Sequence, residues 1–445
     1  MRLLYVVNGF PPTALGGVEI YTWEIARAMT RRGHTVWVFC RESDFQRPDY
    51  ELIRDEVDGL PILRVVNDFK KAQHFSHTYV DDRIEAIFSR VLQEIQPDLV
   101  HFQHLIGLSA RLPDHVRSMG IPMVMSLHDF WPLCHRVHLL NWQTQPCPGP
   151  FQGGDCVTCV RGTRSSSWVY SLLRAIKPWL PAFLFSQIMS RIGGASIPLW
   201  AGVSWKDLQT RYNVFRQALM SCPLLIVPSN FVCEMFHKNG ITWPEIRVLP
   251  LGISCIDSEI FSDAKAKEGL RIGYVGWFQP PKGVHLLIEA FRRISSEGVS
   301  LYLFGPTNES HPYFHWLQEL SKGDSRIVFQ GSFAPEERSR IYRSIDLLVI
   351  PSISPETFSR VAREALLHHV PVVAARIGAL PEVVQDGVNG FLFEPGNTES
   401  LFQVLQRIVL FPSILEDLNM PGPVQIFSVE EHIQMLEQVY CEVLL

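Results

Sequence analysis

The sequence contains no apolar run of 18 residues, so no segment reads as a membrane-spanning helix. It has no excess of positive charge. Forty Lys and Arg stand against 45 Asp and Glu, a net charge of −5, which excludes the basic footprint of a general nucleic-acid binder. Nine cysteines in 445 residues fall short of the density of a disulfide scaffold. The opening "MRLLYVVNGF" is too short and too loop-bound for an export signal, and no small-residue cleavage pattern follows it. A cytoplasmic chain with reduced thiols is therefore expected. One stretch lacks acids. Residues 161–216 carry Arg161, Arg164, Arg174, Lys177, Arg191, Lys206, Arg211 and Arg216, with Asp207 as their only carboxylate.

What is present is a series of short apolar runs, each leading into a loop and a helical pattern. The chain is 47% hydrophobic and 19% charged. Its length exceeds what one core serves, so two domains are expected. "LLYVVN" leads into "GFPPTALGG", then "VEIYTWEIARAMTRRG" with Gly33 at the helix stop, then "HTVWVFC". Strand, glycine loop, helix, strand is the opening of a doubly wound α/β domain. "QPDLVHFQH", "IPMVMSLHD" and "PLLIVPS" read as further strands, and Ser229 is placed to cap "NFVCEMFHKNG". A polar stretch, 256–270, reads as a linker. A second alternation follows, with "LRIGYVGWF", "VSLYLFG", "RIVFQG", "DLLVIPS", "VPVVAA" and "NGFLFEP" as strands. Near-continuous apolar strands predict parallel sheets covered on both faces. The expectation is two Rossmann-like domains, 1–255 and 271–427, facing a central cleft. A C-terminal helix, 428–445, would pack back on the first domain. Ligands of such sheets bind beyond the carboxyl ends of the strands.

In "SPETFSRVAREAL", Glu356 and Glu364 stand eight residues apart. On one helix that is about 12 Å along the axis, whereas a cooperating acid–base pair on a glycoside needs about 5 to 9.5 Å. The spacing disfavours such a pair, and no Asp or His joins them at metal-ligand spacing. Two grips on different parts of one long ligand fit. So does a plainer reading, in which Glu356 complements a helix N-terminus and Glu364 lies on the surface.

"RIGYVGWFQPPKGVHLLIEAF", "IDLLVIPSISPETFSRVAREAL" and "IGALPEVVQDGVNGFLFEPGN" together resemble the nucleotide-sugar-binding half of family-4 retaining glycosyltransferases, which have the GT-B fold. "FPPTALGGVEIYTWEIARAMTRRGHTVWVFC" resembles that family's first glycine loop, helix and strand, and "SLHDFWPLC" and "LLIVPSNFV" later pieces. Each motif is weak alone; the ordered set covers most of the chain.

The resemblance implies a nucleoside-diphosphate sugar donor. By position, Glu356 would touch the donor sugar hydroxyls and Glu364 the ribose, both as acceptors. Thr357, Phe358 and Ser359 would lead into a helix whose free N–H groups face the diphosphate. Lys282 would supply the cation there, and these donors would act chiefly on charge growing in the transition state. Gly16, Gly17 and Gly276 would let backbone approach the donor. His128 would stand near the transferred sugar, to bond a hydroxyl or to move a proton. The resemblance further implies retention without a protein nucleophile, the leaving phosphate deprotonating the acceptor, and no cofactor for catalysis. Two positions depart from the family pattern. Trp277 stands where arginine is frequent, with Arg360 and Arg363 as candidates to replace it, and Ser359 stands where glycine is common.

Cys134, Cys147, Cys156 and Cys159 cluster after His128, and the last two have the gap of a zinc ligand pair. A structural zinc, ordering an acceptor-side loop at 134–160, is one expectation; free thiols in a packed loop are the other. The acid-poor segment interleaves aromatics, leucines and cations, which suits an anionic membrane surface or a buried helix pair with its cations in water. The reading is a peripheral, cytoplasmic-face glycosyltransferase acting on a glycan or lipid-linked acceptor, in surface polysaccharide or glycoconjugate synthesis. The rivals are a non-catalytic nucleotide-sugar-binding subunit, and another GT-B enzyme such as a sugar epimerase.

Overall fold

A computed structural model describes residues 1–150, 156–161, 203–242, 245–254, 269–307, 311–334 and 337–445. Strands and helices are numbered in chain order over these residues. The first sheet has eight strands in the order β3-β4-β2-β1-β5-β6-β7-β8. They are β1 (Arg2–Val7), β2 (Thr35–Glu42), β3 (Leu52–Val57), β4 (Leu60–Val66), β5 (Leu99–Phe102), β6 (Met123–Ser126), β7 (Leu224–Val227) and β8 (Glu245–Val248). The second sheet has six, β11-β10-β9-β12-β13-β14: β9 (Leu270–Val275), β10 (Val299–Phe304), β11 (Ile327–Gly331), β12 (Leu347–Ile350), β13 (Val372–Ala375) and β14 (Gly390–Phe393). Strand pairing is parallel except between β3 and β4. Three strands go beyond those read from the sequence. The polar edge strand β3 and the half-exposed β8 lack the continuous apolar run that marks a covered strand, while in β4 Pro61 and Arg64 interrupt the apolar run.

Helices cover the sheets because their apolar residues recur every three to four positions. In α1 (Gly17–Arg31), Tyr21, Ile25, Ala28 and Met29 are buried, and Gly33 (φ 88°) follows the helix end in the left-handed conformation. The C-terminal helix α12 (Val429–Leu444) opens with a capping box between Ser428 and Glu431. It buries Ile433, Leu436, Val439 and Tyr440 in one cluster with Tyr21, Ile25 and Met29 of α1. Truncating Leu436 to alanine would cost about 2–5 kcal/mol, the usual range for a buried leucine. Tyr440 Oη bonds His101 Nδ1 at 2.6 Å, tying α12 to β5.

The two sheets are bridged by specific polar contacts as well. Glu382 accepts hydrogen bonds from the backbone N–H groups of Asn230 (3.1 Å) and Phe231 (2.7 Å) at the start of α6 (Asn230–Lys238). A carboxylate at a helix N-terminus meets free N–H donors and the positive dipole end. Ser229, whose side chain caps the same helix, donates its hydroxyl to the Thr357 carbonyl at 2.7 Å. Most of the linker expected at 256–270, and residues 162–202 of the acid-poor segment, lie outside the described residues. No helix among the described residues is long and apolar enough to cross a membrane.

Candidate functional site

The carboxyl ends of β1, β5 and β6 form one wall. Parallel register puts Asn8, Gln103, His104, His128 and Asp129 side by side there. Asn8 Nδ2 donates to Glu19 Oε1 at 2.7 Å, which holds a carboxylate beside the first turn of α1. Gly16 precedes that turn, and a Cβ there would sit 2.3 Å from Glu19 Oε2; Gly17 faces open space. His128 Nε2 lies 2.7 Å from Gln103 Oε1, and its ring meets Tyr21 edge-on at 5.0 Å. Burial pushes His128 down to about 3, with His104 adding to the effect. The imidazole is therefore neutral near pH 7. It can exchange hydrogen bonds with a hydroxyl, but it does not serve as a standing cation.

Asp129 Oδ2 receives His104 Nε2 at 2.9 Å, and Oδ1 receives the Trp131 N–H at 2.8 Å. Burial pushes the Asp129 carboxyl up, but His104 and these hydrogen bonds pull it below the ordinary range. His104 Nδ1 accepts from the Ile106 N–H at 3.1 Å, which leaves Nε2 to carry the proton toward Asp129. Gln103 Nε2 and Asn8 Oδ1 are buried without a hydrogen-bond partner among the described residues. Unmet buried groups are costly, and here they stand where a ligand hydroxyl could satisfy them. A cavity of about 20 Å³ lies behind the wall, lined by Gln103, His104, His128, Asp129 and Trp131.

The opposite side is built on β9 and β12. After β9 the chain passes through Gly276 (φ 153°), where a Cβ would meet the Tyr274 hydroxyl at 2.9 Å. A single turn, Pro280–Lys282, then presents Lys282. Its Nζ lies 2.7 Å from Glu356 Oε1, which also accepts from the Ser352 hydroxyl at 2.6 Å. Burial pushes the Glu356 carboxyl up, but Lys282 and Ser352 more than offset this and hold it below the ordinary range. The Glu356 backbone is clamped by the Gly378 turn. Ala379 N–H donates to the Glu356 carbonyl at 2.7 Å, and a Cβ on Gly378 would sit 2.4 Å from Glu356 N.

α10 (Arg360–Leu367) starts directly after Ser359, which is left-handed (φ 56°) and gives no side-chain cap. Thr357 offers its carbonyl to Ser229, as above. The Phe358 ring is buried in the first domain's cluster, 4% exposed, so it does not line the cleft. Glu364, 8% exposed, is already engaged: Tyr342 Oη donates to it at 2.8 Å, and Arg338 lies 3.5 Å away. Arg360 and Arg363, the two candidates to replace a cation at Trp277, both have partners of their own. Arg360 pairs with Glu24 of α1 at 2.9 Å. The Arg363 guanidinium covers the Phe358 ring at 3.7 Å and bonds the Phe358 carbonyl. Trp277 itself is half exposed.

A loop from the first domain faces this pair. Val137 (φ 69°) and Leu139 (φ 47°) are left-handed on either side of His138. Such strain in β-branched and bulky residues needs surroundings that impose it, and Leu139 and Leu140 are buried anchors. His138 keeps part of its surface open to solvent, and Lys282, Asp129 and Glu356 all act on its charge. Partial desolvation by the surrounding protein and the Lys282 charge together lower its pKa. His138 and Ser352 were not singled out in the sequence. Ser352 stands in a strand-end motif four residues before Glu356, a signal that could have found it. Cys134, Cys147, Cys156 and Cys159 line one cavity and form no disulfide among the described residues. Among the described residues no three histidine, cysteine or carboxylate groups stand close enough to hold a metal ion.

Two parallel-sheet domains joined by a helix that returns to the first define the GT-B class of protein. The comparisons agree. Residues 269–410 match the Glycosyl transferases group 1 family and residues 15–163 match Glycosyltransferase Family 4. The chain belongs to these glycosyltransferases, the two matches together spanning well over half of it. It is 28% identical to the sulfoquinovosyl transferase of Arabidopsis thaliana over 246 residues, 52% of this chain but 42% of that one. It is 29% identical to an uncharacterized glycosyltransferase of Methanocaldococcus jannaschii over 424 residues, 92% of this chain and 89% of that one. The structure of the Anabaena protein HepE, solved with UDP and glucose, superposes with a TM-score of 0.64 at 18% identity, covering 99% and 100% of the two chains. At that identity the likeness speaks for the fold.

Proposed function

We propose that the protein transfers a sugar from a nucleoside-diphosphate sugar to a hydroxyl of a glycan or lipid-linked acceptor, with retention of configuration. The observation that carries this reading is the Lys282–Glu356 pair, held at the carboxyl edge of the second sheet beside the uncapped start of α10. Lys282 and the α10 N–H groups receive the diphosphate, Glu356 the sugar hydroxyls, and Glu364 the ribose. As the glycosidic bond breaks, negative charge grows on the leaving phosphate, where a cation and a helix N-terminus stabilise it. The leaving oxygen takes the acceptor proton on the same face, and His128 holds a sugar hydroxyl as a neutral imidazole. HepE, of the same fold, has structures with UDP and with UDP-glucose, which agree with a nucleotide sugar as the donor class. The acid-poor segment of the sequence supports work at the cytoplasmic face of a membrane.

The test is a thermal-shift panel of nucleoside diphosphates and their sugars, followed by transfer assays with the base and sugar it selects. Anomeric configuration of the product, read by NMR, reports retention. Tight nucleotide binding with no turnover on any acceptor would instead favour a non-catalytic binding subunit.

A further inference from the structure

The four clustered cysteines surround a single cavity of about 40 Å³, which Arg211 also lines. They arrive from two directions. Cys134 and Cys147 flank the hairpin-like loop that carries His138, where the Cys147 N–H bonds the Leu139 carbonyl at 2.8 Å. Cys156 and Cys159 lie one turn apart on α4 (Cys156–Arg161), and so share a face. Arg211 enters from α5 (Trp205–Ser221).

Arg211 is 3% exposed, and its Nε has no hydrogen-bond partner among the described residues. Its Nη2 donates to the Trp131 carbonyl at 2.5 Å, and its guanidinium lies 4.4 Å from the Phe215 ring centroid. A buried cation left this way costs stability unless an anion meets it. Protonated thiols supply none.

We propose that Cys134, Cys147, Cys156 and Cys159 bind one zinc ion as a tetrathiolate, with Arg211 as its buried counter-charge. Binding releases four thiol protons and leaves a complex of net charge −2 beside the guanidinium. The thiols ring the cavity without meeting in it. Binding therefore requires the four sulfurs to move inward from where the structure places them. The ion would clamp both ends of the segment that presents His138 to the cleft. This assignment stands apart from the transfer reading, because it rests on the thiols and Arg211 alone.

The full chain, purified without chelator, is expected to hold about one zinc per chain by elemental analysis. The metal is expected to fall to background in the double variant Cys156→Ser/Cys159→Ser and to remain in Cys233→Ser, whose thiol lies outside the ring. If the double variant does not fold, cobalt exchanged into the native chain should give thiolate-to-metal charge-transfer absorption. No zinc, zinc that persists in the double variant, or cobalt without thiolate bands would overturn the proposal. So would four thiols missing from a denaturing titration of metal-free protein, which would mean disulfides instead.

Discussion

Lys282 and Glu356, 74 residues apart in sequence, are ion-paired at 2.7 Å with the Ser352 hydroxyl on the same carboxylate oxygen. The two side chains expected to hold opposite ends of one donor therefore hold each other. Glu356 has a second partner and Lys282 is the more exposed of the two, at 36% against 15%. A diphosphate competing for Lys282 leaves Glu356 with the Ser352 hydroxyl as its hydrogen-bond partner.

That asymmetry separates two substitutions. Lys282→Ala removes the cation from the leaving group and should lower kcat/KM by about 10²- to 10³-fold, the scale for a lost transition-state donor. It should also weaken binding of the nucleoside diphosphate. Glu356→Gln releases Lys282 from its carboxylate, so transfer should fall while diphosphate affinity holds or rises. Calorimetry with the diphosphate alone, beside a transfer assay, distinguishes them. If Lys282→Ala binds the diphosphate as tightly as the parent, the assigned seat is wrong.

The Arg360–Glu24 pair joins α10 to α1 with both side chains less than a fifth exposed. Glu24→Gln leaves the buried Arg360 with only the more distant Glu364 carboxylate, at 3.8 Å, and should cost about 1–3 kcal/mol. Removing both in Glu24→Met/Arg360→Met should cost less than the two single changes added together. Urea unfolding of the three variants gives the coupling energy. A double variant equal to the sum of the singles would show that the two side chains act independently.

Ser359 occupies left-handed backbone at φ 56°, ψ 78°, a conformation that costs a residue with a Cβ about 1–2 kcal/mol. Glycine removes that cost but loses more entropy on folding. Ser359→Gly should therefore stabilise the chain by about 0.5 kcal/mol, whereas Ser359→Val should destabilise it. The readout is the urea midpoint at unchanged m-value. A lower midpoint for the glycine variant would mean that the serine side chain makes a compensating contact.

The acid-poor segment leads to a separate expectation. The protein should float with vesicles rich in anionic lipid, and less so as salt rises, because exposed charge interactions are screened. Flotation equal on neutral and anionic vesicles would remove the membrane from the reading.

The alternation of apolar runs with glycine-bearing loops made both sheets legible, because buried parallel strands carry their signal in every residue. The Lys282 and Glu356 motifs were legible for a related reason: they sit at strand ends, where topology places ligands. The edge strands β3 and β8 were not, since an edge needs no apolar face. Phe358 shows a deeper limit. Local sequence placed it beside a phosphate seat, but its ring packs with residues from the first 40 positions and from the C-terminal helix. Likewise, nothing local says that Arg360 answers to Glu24. Pairings across 336 residues are set by domain packing, which no short motif encodes.

Buried histidines make the fold sensitive to mild acid. Burial pushes His128 to about 3 and His432 to about 4, and His101 well below its ordinary value. His432 is held with Nδ1 2.9 Å from the Pro250 carbonyl and Nε2 2.7 Å from the Tyr21 hydroxyl, and its burial disfavours the charged ring. Above a pH of about 6.5 these histidines are neutral in both folded and unfolded chains and contribute no slope. Below it the unfolded chain takes up protons that the folded chain refuses. Each such histidine then costs about 1.4 kcal/mol per pH unit until its folded pKa is reached. Asp129 and Glu356 have depressed folded values, so their contributions fade only at lower pH, near and below ordinary carboxylate values of about 4. Between about pH 6.5 and 5 the histidines therefore dominate, and Tm should fall steadily across that window. His432→Asn, which keeps a donor near the Pro250 carbonyl, should make the fall shallower. A Tm that stays flat down to a pH of about 5 would mean that these rings admit protons in the folded chain.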